Sequence, residues 1–355
     1  MMLNIYFVQS SAAHYNCMLF SEIAKEKDID KVVVITRYLI GPVDENLNGV
    51  DLVVRASWVG FLLEILKVLT SRVGVIVYDG HSSFPASLFL CFAGNLYGRR
   101  LILWSLGAIP LRAQGLRAKI GDHLSKLYCS YSQFVICYGS HAKQYFASLG
   151  VSVDKLYVAQ NAVPGPEVAM SAKTLGKGKN KLEAKVVFVG ALKPHKNIDL
   201  LVNVVACHPN IALDIIGDGP YLGELLSISS QYKAENVSFV GPLYELALSK
   251  RLLSYDFAVL PGLGGLAINS ALSHGLPVIC GPADGTEQDL VIDGHTGFLL
   301  ASVTFESLEA AILDFSGKLP KCHEMGENGK NLISQKVTVE EQVKVFMHVF
   351  RRIGK

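Results

Sequence analysis

The stretch PGLGGLAINSALSHGLPVI, residues 261–279, decides how this chain is read. An apolar run at 255–260 leads into it, and Gly262, Gly264 and Gly265 make a turn without bulky side chains. An uncharged run with helical potential follows, and Gly275-Leu276-Pro277-Val278-Ile279 opens another apolar segment. Strand, turn, helix, strand is half of a nucleotide-binding α/β unit. Glycines allow close backbone approach, and a helix start offers unpaired N–H groups with partial positive charge. The amides of Gly264, Gly265, Leu266 and Ala267 therefore suit a diphosphate, although a plain βα turn has the same pattern.

The alternation continues on both sides. Toward the N-terminus of this half, strands are predicted at 185–189, 211–216 and 237–240, with helices at 198–207 and 243–254. Beyond residue 279 a short strand at 297–300 precedes helices near 304–315 and 338–353. The first half repeats the alternation: strands at 3–8, 31–36, 51–54, 73–78, 100–104 and 133–137, and helices at 15–27, 57–71, 84–97, 111–130 and 140–148. Between them, residues 159–183 carry prolines, glycines and lysines without an apolar period, as a linker does. The expected fold is α/β, with two Rossmann-like, doubly wound domains facing a central cleft, where ligands meet the carboxyl ends of the strands. The expected boundaries are 1–165, a linker at 166–184, a second domain at 185–335, and a C-terminal helix at 336–355 packing back on the first domain.

The chain has 355 residues, long enough for two cores. Its net charge of +2 gives no global field for nucleic acid. The seven cysteines, with no CxxC spacing and several inside apolar segments, suit buried thiols in a reducing compartment and speak against zinc. Residues 1–9 lack a basic leader region and read as a strand. Asp79 is the lone formal charge between 73 and 98, yet that stretch divides into a strand, a polar turn and a helix, each too short to span a bilayer.

The C-terminal half resembles the GT-B glycosyltransferases of the family 4, retaining (group 1) kind. The resemblance lies in an ordered set: Val187-Phe188-Val189-Gly190, then Lys193-Pro194-His195-Lys196-Asn197; Ile216-Gly217-Asp218-Gly219-Pro220; Phe239-Val240-Gly241; Tyr255 to Pro261; and Asp293-Gly294-His295-Thr296-Gly297-Phe298. In the first half, Tyr138-Gly139-Ser140 and Val158-Ala159-Gln160-Asn161-Ala162-Val163 are similar to the family's last elements before the linker. The Pro-Gly-x-x-Gly-Leu turn resembles a divergent surface-polysaccharide subgroup. The chain departs from the family's usual pattern in several places. The two glutamates eight positions apart fall at Gly262 and Ser270, the basic-loop arginine at Ala191, and the N-terminal histidine at Leu106 before Gly107. Ser10-Ser11-Ala12 stands where a glycine pair is usual.

The resemblance implies a donor site made of Gly190, Lys193, Lys196, Gly217, Gly219, Val240, Gly264, Gly265, Leu266, Ala267, Ser270 and Glu287. Lys196 would meet the diphosphate as a point charge. Glu287 would replace the missing ribose contact, or else be a surface acid in a polar loop. His14, Tyr15, Asp79 and His81 would touch the acceptor, and His14 and His81 are the candidates for relaying a proton; a hydrogen-bonded loop histidine is the plainer account of either. The other histidines share no metal-ligand spacing, so no metal or cofactor is expected, the nucleotide sugar being a substrate. The basic stretch from Arg112 to Lys126 would rest on anionic lipid or be a solvated helix face. The expected activity is transfer of a sugar from a nucleotide diphosphate sugar to a saccharide or lipid-linked saccharide, with retention, in bacterial surface polysaccharide synthesis. The expected location is the cytoplasm, peripheral on the inner face of the membrane. The alternatives are a non-catalytic GT-B protein that binds nucleotide or a partner glycosyltransferase, and a sugar-nucleotide epimerase of similar architecture.

Overall fold

The structure is a computed structural model that describes residues 2–13, 15–40, 47–71, 74–80, 85–110, 115–163 and 184–353. The chain forms two compact units, one of residues 1–162 with 339–355 and the other of residues 163–338.

In the first unit the elements run β1 (Leu3–Ala13), α1 (Asn16–Ala24), β2 (Ile29–Ile40), β3 (Val50–Val54), α2 (Trp58–Thr70), β4 (Val75–Asp79), α3 (Pro85–Leu96), β5 (Arg100–Ser105), α4 (Leu116–Tyr131), β6 (Phe134–Cys137), α5 (Ser140–Ser148) and β7 (Leu156–Val158). The strands make one parallel sheet in the order β3-β2-β1-β4-β5-β6-β7. Both faces are covered, so the strands are apolar on both sides. Phe7, Val77, Ile102 and Trp104 point into one core and Val8, Ile76, Tyr78 and Leu103 into the other. Strand β1 is longer than its predicted span of 3–8: Gln9 to Ala13 stay paired with β2 as far as Ala13 against Ile40, whereas pairing with β4 stops at Val8 against Tyr78. The two strands thus extend past the sheet as a ribbon.

The second unit contains β8 (Ala184–Val189), α6 (Ile198–Ala206), β9 (Ile211–Ile216), α7 (Leu222–Gln231), β10 (Val237–Gly241), α8 (Glu245–Leu252), β11 (Phe257–Leu260), α9 (Leu266–Ser273), β12 (Val278–Cys280), α10 (Glu287–Leu290), β13 (Gly297–Leu299), α11 (Phe305–Gly317) and α12 (Leu319–Lys336). Its parallel sheet has the order β10-β9-β8-β11-β12-β13. Helix α13 (Val339–Ile353) then belongs to the first unit. Its Phe346 ring lies 6.0 Å from Phe7 and 5.1 Å from Trp104, and Arg351 Nε donates to Asp28 Oδ2 at 2.8 Å.

Among the described residues no helix is long and apolar enough to cross a membrane. The uncharged stretch at 73–98 is divided accordingly, with α3 twelve residues long. Burial pushes the Cys91 thiol up to about 11 and those of Cys129 and Cys137 to about 12, so these thiols stay neutral.

Candidate functional site

In the second unit three neighbouring strands, β9, β8 and β11, end side by side, and their loops interlock through backbone. The Gly190 N–H donates to Ile216 O at 3.0 Å, and the Leu192 N–H to Asp218 O at 2.9 Å. A Cβ on Gly217, whose φ is +149°, would stand 1.9 Å from Gly190 O. A Cβ on Gly262 would stand 2.3 Å from His195 O and 2.6 Å from the Lys196 Cα. Position 262 therefore has no space for a side chain, and the glutamate usual there is replaced by contact between the basic loop and the glycine-rich turn.

Lys196 ends a single 3₁₀ turn, Pro194–Lys196, followed by Asn197 in the left-handed region (φ 53°). Its Nζ donates to the Leu263 carbonyl, which brings the ammonium onto the turn between β11 and α9. Burial pulls its pKa down, Asp284 opposes that shift, and Lys193 adds to it. Lys193 itself is exposed. Gly265 (φ 54°) precedes α9, with no side-chain cap on the helix start. The Ala267 N–H returns to Gly264 O at 3.3 Å, so this amide is used within the turn. Val240 sits where the β10–β9 register shifts between Phe239 and Gly241, which takes it out of the regular ladder. Ser270 is half-buried on α9, and its carbonyl accepts from Ser273 Oγ at 2.9 Å. His274 is buried, with Nε2 2.9 Å from Ser249 Oγ, and is structural.

Glu287 differs from one of the two accounts offered for it. It is completely buried, not a surface acid, and its carboxylate accepts from the Ala283 N–H at 2.9 Å and the Gly285 N–H at 2.8 Å. It holds the 283–287 loop in shape. The same loop carries Asp284, whose Oδ1 accepts from the Thr286 N–H at 3.0 Å.

In the first unit a cavity of 570 Å³ opens at the carboxyl ends of β1, β4 and β5. Tyr15 and Asp79 line it, together with Gln9, Trp104, Tyr138 and Arg117. Asp79 Oδ2 accepts from the Ser10 N–H at 2.8 Å and from Ser10 Oγ at 2.7 Å, which fixes the carboxylate against β1. Ser10 thereby has a role at the position of the missing glycine pair. Leu106 also lines the cavity, and Ser105 Oγ accepts from the Gly107 N–H at 3.1 Å. His14, His81 and Arg112 lie outside the described residues. Gln9 and Trp104 were not singled out in the sequence. Gln9 is 4% and Trp104 1% exposed, and neither Gln9 Oε1 nor Trp104 Nε1 has a hydrogen-bond partner among the described residues. A buried polar group left unmatched costs about 1–3 kcal/mol and calls for a reason. The available sequence signal was a polar or indole side chain in alternation with inward-facing strand residues, following Phe7 and Ile102 two residues earlier. No group of three or more metal-ligating side chains occurs among the described residues.

Residues 174–332 match the family described as glycosyl transferases group 1. The chain is similar to an uncharacterized glycosyltransferase, MJ1069, of Methanocaldococcus jannaschii, with 28% identity over 189 residues, 50% of this chain and 47% of that protein. It is also similar to the O-antigen biosynthesis glycosyltransferase WbnH of Escherichia coli, with 26% identity, covering 49% of this chain and 51% of the relative. The chain thus spans about half the length of these curated relatives. The structure of Anabaena Alr3699/HepE in complex with UDP superposes with a TM-score of 0.76, covering 99% of this chain and 100% of that one at 17% identity, a likeness of fold.

Proposed function

We propose, from the match of residues 174–332 to the group 1 glycosyl transferases, that the chain transfers a sugar from a nucleotide diphosphate sugar to a saccharide or lipid-linked saccharide. The single observation that carries this reading is the interlocked set of loops at β8, β9 and β11, which brings the Lys196 ammonium onto a glycine-rich helix start. Such a start holds a diphosphate through exposed amides and adds one positive charge. The N-terminal domain would hold the acceptor in the cavity beside Asp79.

In this mechanism the bond from the sugar C1 to the diphosphate oxygen breaks as C1 bonds to the acceptor oxygen on the same face. The acceptor proton passes to the departing diphosphate, and configuration is retained. Lys196, Lys193 and the backbone amides offset the charge that develops on the leaving group. Gly262 has no room for a carboxylate, so no protein nucleophile is assigned there. The Pro-Gly-x-x-Gly-Leu turn and the similarity to WbnH support a role in bacterial surface polysaccharide synthesis. Arg117 and Lys119 are exposed on α4 beside Leu116 (75% exposed) and Ile120, which supports contact with anionic lipid on the inner face of the membrane.

The test is incubation with a panel of UDP and GDP sugars and alkyl glycosides, followed by assay of donor hydrolysis and transfer. Lys196→Ala should lower turnover by about 100-fold; near-normal turnover would refute its phosphate role. The closed space at Gly262 also favours a second reading, a non-catalytic protein that binds nucleotide or a partner glycosyltransferase. Nucleotide binding with neither hydrolysis nor transfer across the panel would select it.

A further inference from the structure

The ligand-facing groups at the ends of β8 and β11 are mainly donors. The uncapped start of α9 offers backbone N–H groups, and the Lys196 ammonium accepts nothing. Carbonyls in these loops are already engaged: Leu263 O takes Lys196 Nζ, Gly264 O takes the Ala267 N–H, and Asp218 O takes the Leu192 N–H. That set matches a diphosphate, which accepts. A sugar carried on the diphosphate also brings hydroxyl protons, and these need an acceptor. Gly262 has no room to supply one, since its Cβ would stand 2.3 Å from His195 O. Asp218, exposed beyond β9, turns Oδ1 back onto the Gly219 N–H at 2.7 Å.

Asp284 is better placed. It follows β12, whose Cys280 is in register with Leu260 of β11, and the two loops touch just beyond: a Cβ on Gly281 would stand 2.5 Å from Pro261 O. Glu287 braces the amides on either side of it, those of Ala283 and Gly285. Thr286 gives both its N–H (3.0 Å) and its hydroxyl (2.5 Å) to Asp284 Oδ1. Oδ2 accepts no hydrogen bond among the described residues and is not closed off from solvent. Among the described acids, the charge felt at the Lys196 ammonium is that of Asp284. A carboxylate beside a diphosphate site weakens it by repulsion unless it meets another part of the same ligand.

We infer that Asp284 contacts the sugar of the donor, Oδ2 accepting from a ring hydroxyl while Lys196 holds the diphosphate. The inference rests on the transferase reading and names a residue that selects the donor sugar within that site.

Calorimetry on the full chain tests it, with UDP, GDP, UDP-glucose, UDP-galactose, UDP-N-acetylglucosamine and GDP-mannose as ligands. Asp284→Asn keeps the size of the side chain and an oxygen for Thr286. It should weaken the preferred sugar nucleotide about tenfold or more. The matching free nucleotide should bind as tightly as to wild type, or tighter, because a negative charge near the phosphates has gone. Thr286→Val keeps the charge and loosens its aim, so the sugar nucleotide should weaken severalfold and the free nucleotide should not. It carries the comparison if Asp284→Asn does not fold. Equal loss of both ligands would mean that Asp284 serves Lys196 or its own loop, and overturns the assignment. Unchanged sugar-nucleotide affinity in both variants overturns it too, as does a wild-type chain that binds a free nucleotide and no sugar nucleotide. If the wild-type chain binds neither UDP nor GDP, the transferase reading itself fails and this inference with it.

Discussion

Lys196 owes its character to its surroundings. Desolvation lowers its pKa from the ordinary 10.5, so its ammonium loses the proton earlier than an exposed lysine would as pH rises. Nucleotide affinity should therefore decline on the alkaline side below the usual lysine range. Lys196→Arg, with a group that stays charged, should move that limb upward in calorimetric titrations across pH. For stability the sign is opposite to that of a salt-bridged lysine. The folded state binds this proton less tightly than the unfolded chain, so the penalty is full below the folded value and lifts as pH rises toward 10.5. Glu287 gives a second expectation. Glu287→Gln replaces one acceptor oxygen with an N–H donor facing a backbone N–H, and should cost about 1–3 kcal/mol in urea unfolding. An unmoved midpoint would show that the two bonds do not hold the loop. Lys196 was legible because a basic loop after a strand end is a local pattern. The burial of Glu287 was not, since its amide partners come from a turn whose shape follows from the fold.

The loops act as one element, and Gly262 is where they meet. Gly262→Ala places a methyl group 2.3 Å from a carbonyl oxygen, so either the basic loop or the turn must move. We expect a loss of about 1–3 kcal/mol with weaker nucleotide binding, read by thermal melting and calorimetry. Gly262→Glu, which supplies the carboxylate usual in the family, should be at least as harmful; a gain in turnover would contradict the packing described. Elements with strong periodicity, such as α2 and α5, lie within a residue or so of their expected spans. Those missed have physical reasons. Strand β7, Leu156–Val158, is too short to show a period. Helix α12 was not predicted because Gly326 and Gly329 sit in its interior, yet they let it pack closely: a Cβ on Gly326 would lie 2.1 Å from Gly275 O. The end of β1 is polar and small, and only its pairing with β2 makes it a strand.

At the scale of the molecule, the two parallel sheets were legible because strands buried on both faces read as continuous apolar runs. The depth of the N-terminal cavity was not, because it depends on registers among three strands distant in sequence. Helix α13 makes the first unit discontinuous. It buries Val343, Phe346, Met347, Val349 and Phe350, and Phe346 touches both Phe7 and Trp104. Phe346→Ala should destabilise the N-terminal unit by about 3–5 kcal/mol. Hydrogen exchange resolved by unit should show this loss in residues 3–158 while the β8–β11 amides keep their protection; equal loosening of both units would count against it.

That helix also imposes an order of events during synthesis. All seven strands of the first sheet have been translated by residue 158, yet one of its faces waits for Phe346 and Phe350. At about 5–20 residues per second, the ribosome leaves that apolar face uncovered for roughly ten to forty seconds while the second sheet is made. A nascent chain of this protein should recruit a holdase chaperone over that interval, and a product stalled before residue 339 should be cleared by proteolysis even though nearly all of its second unit has already been made.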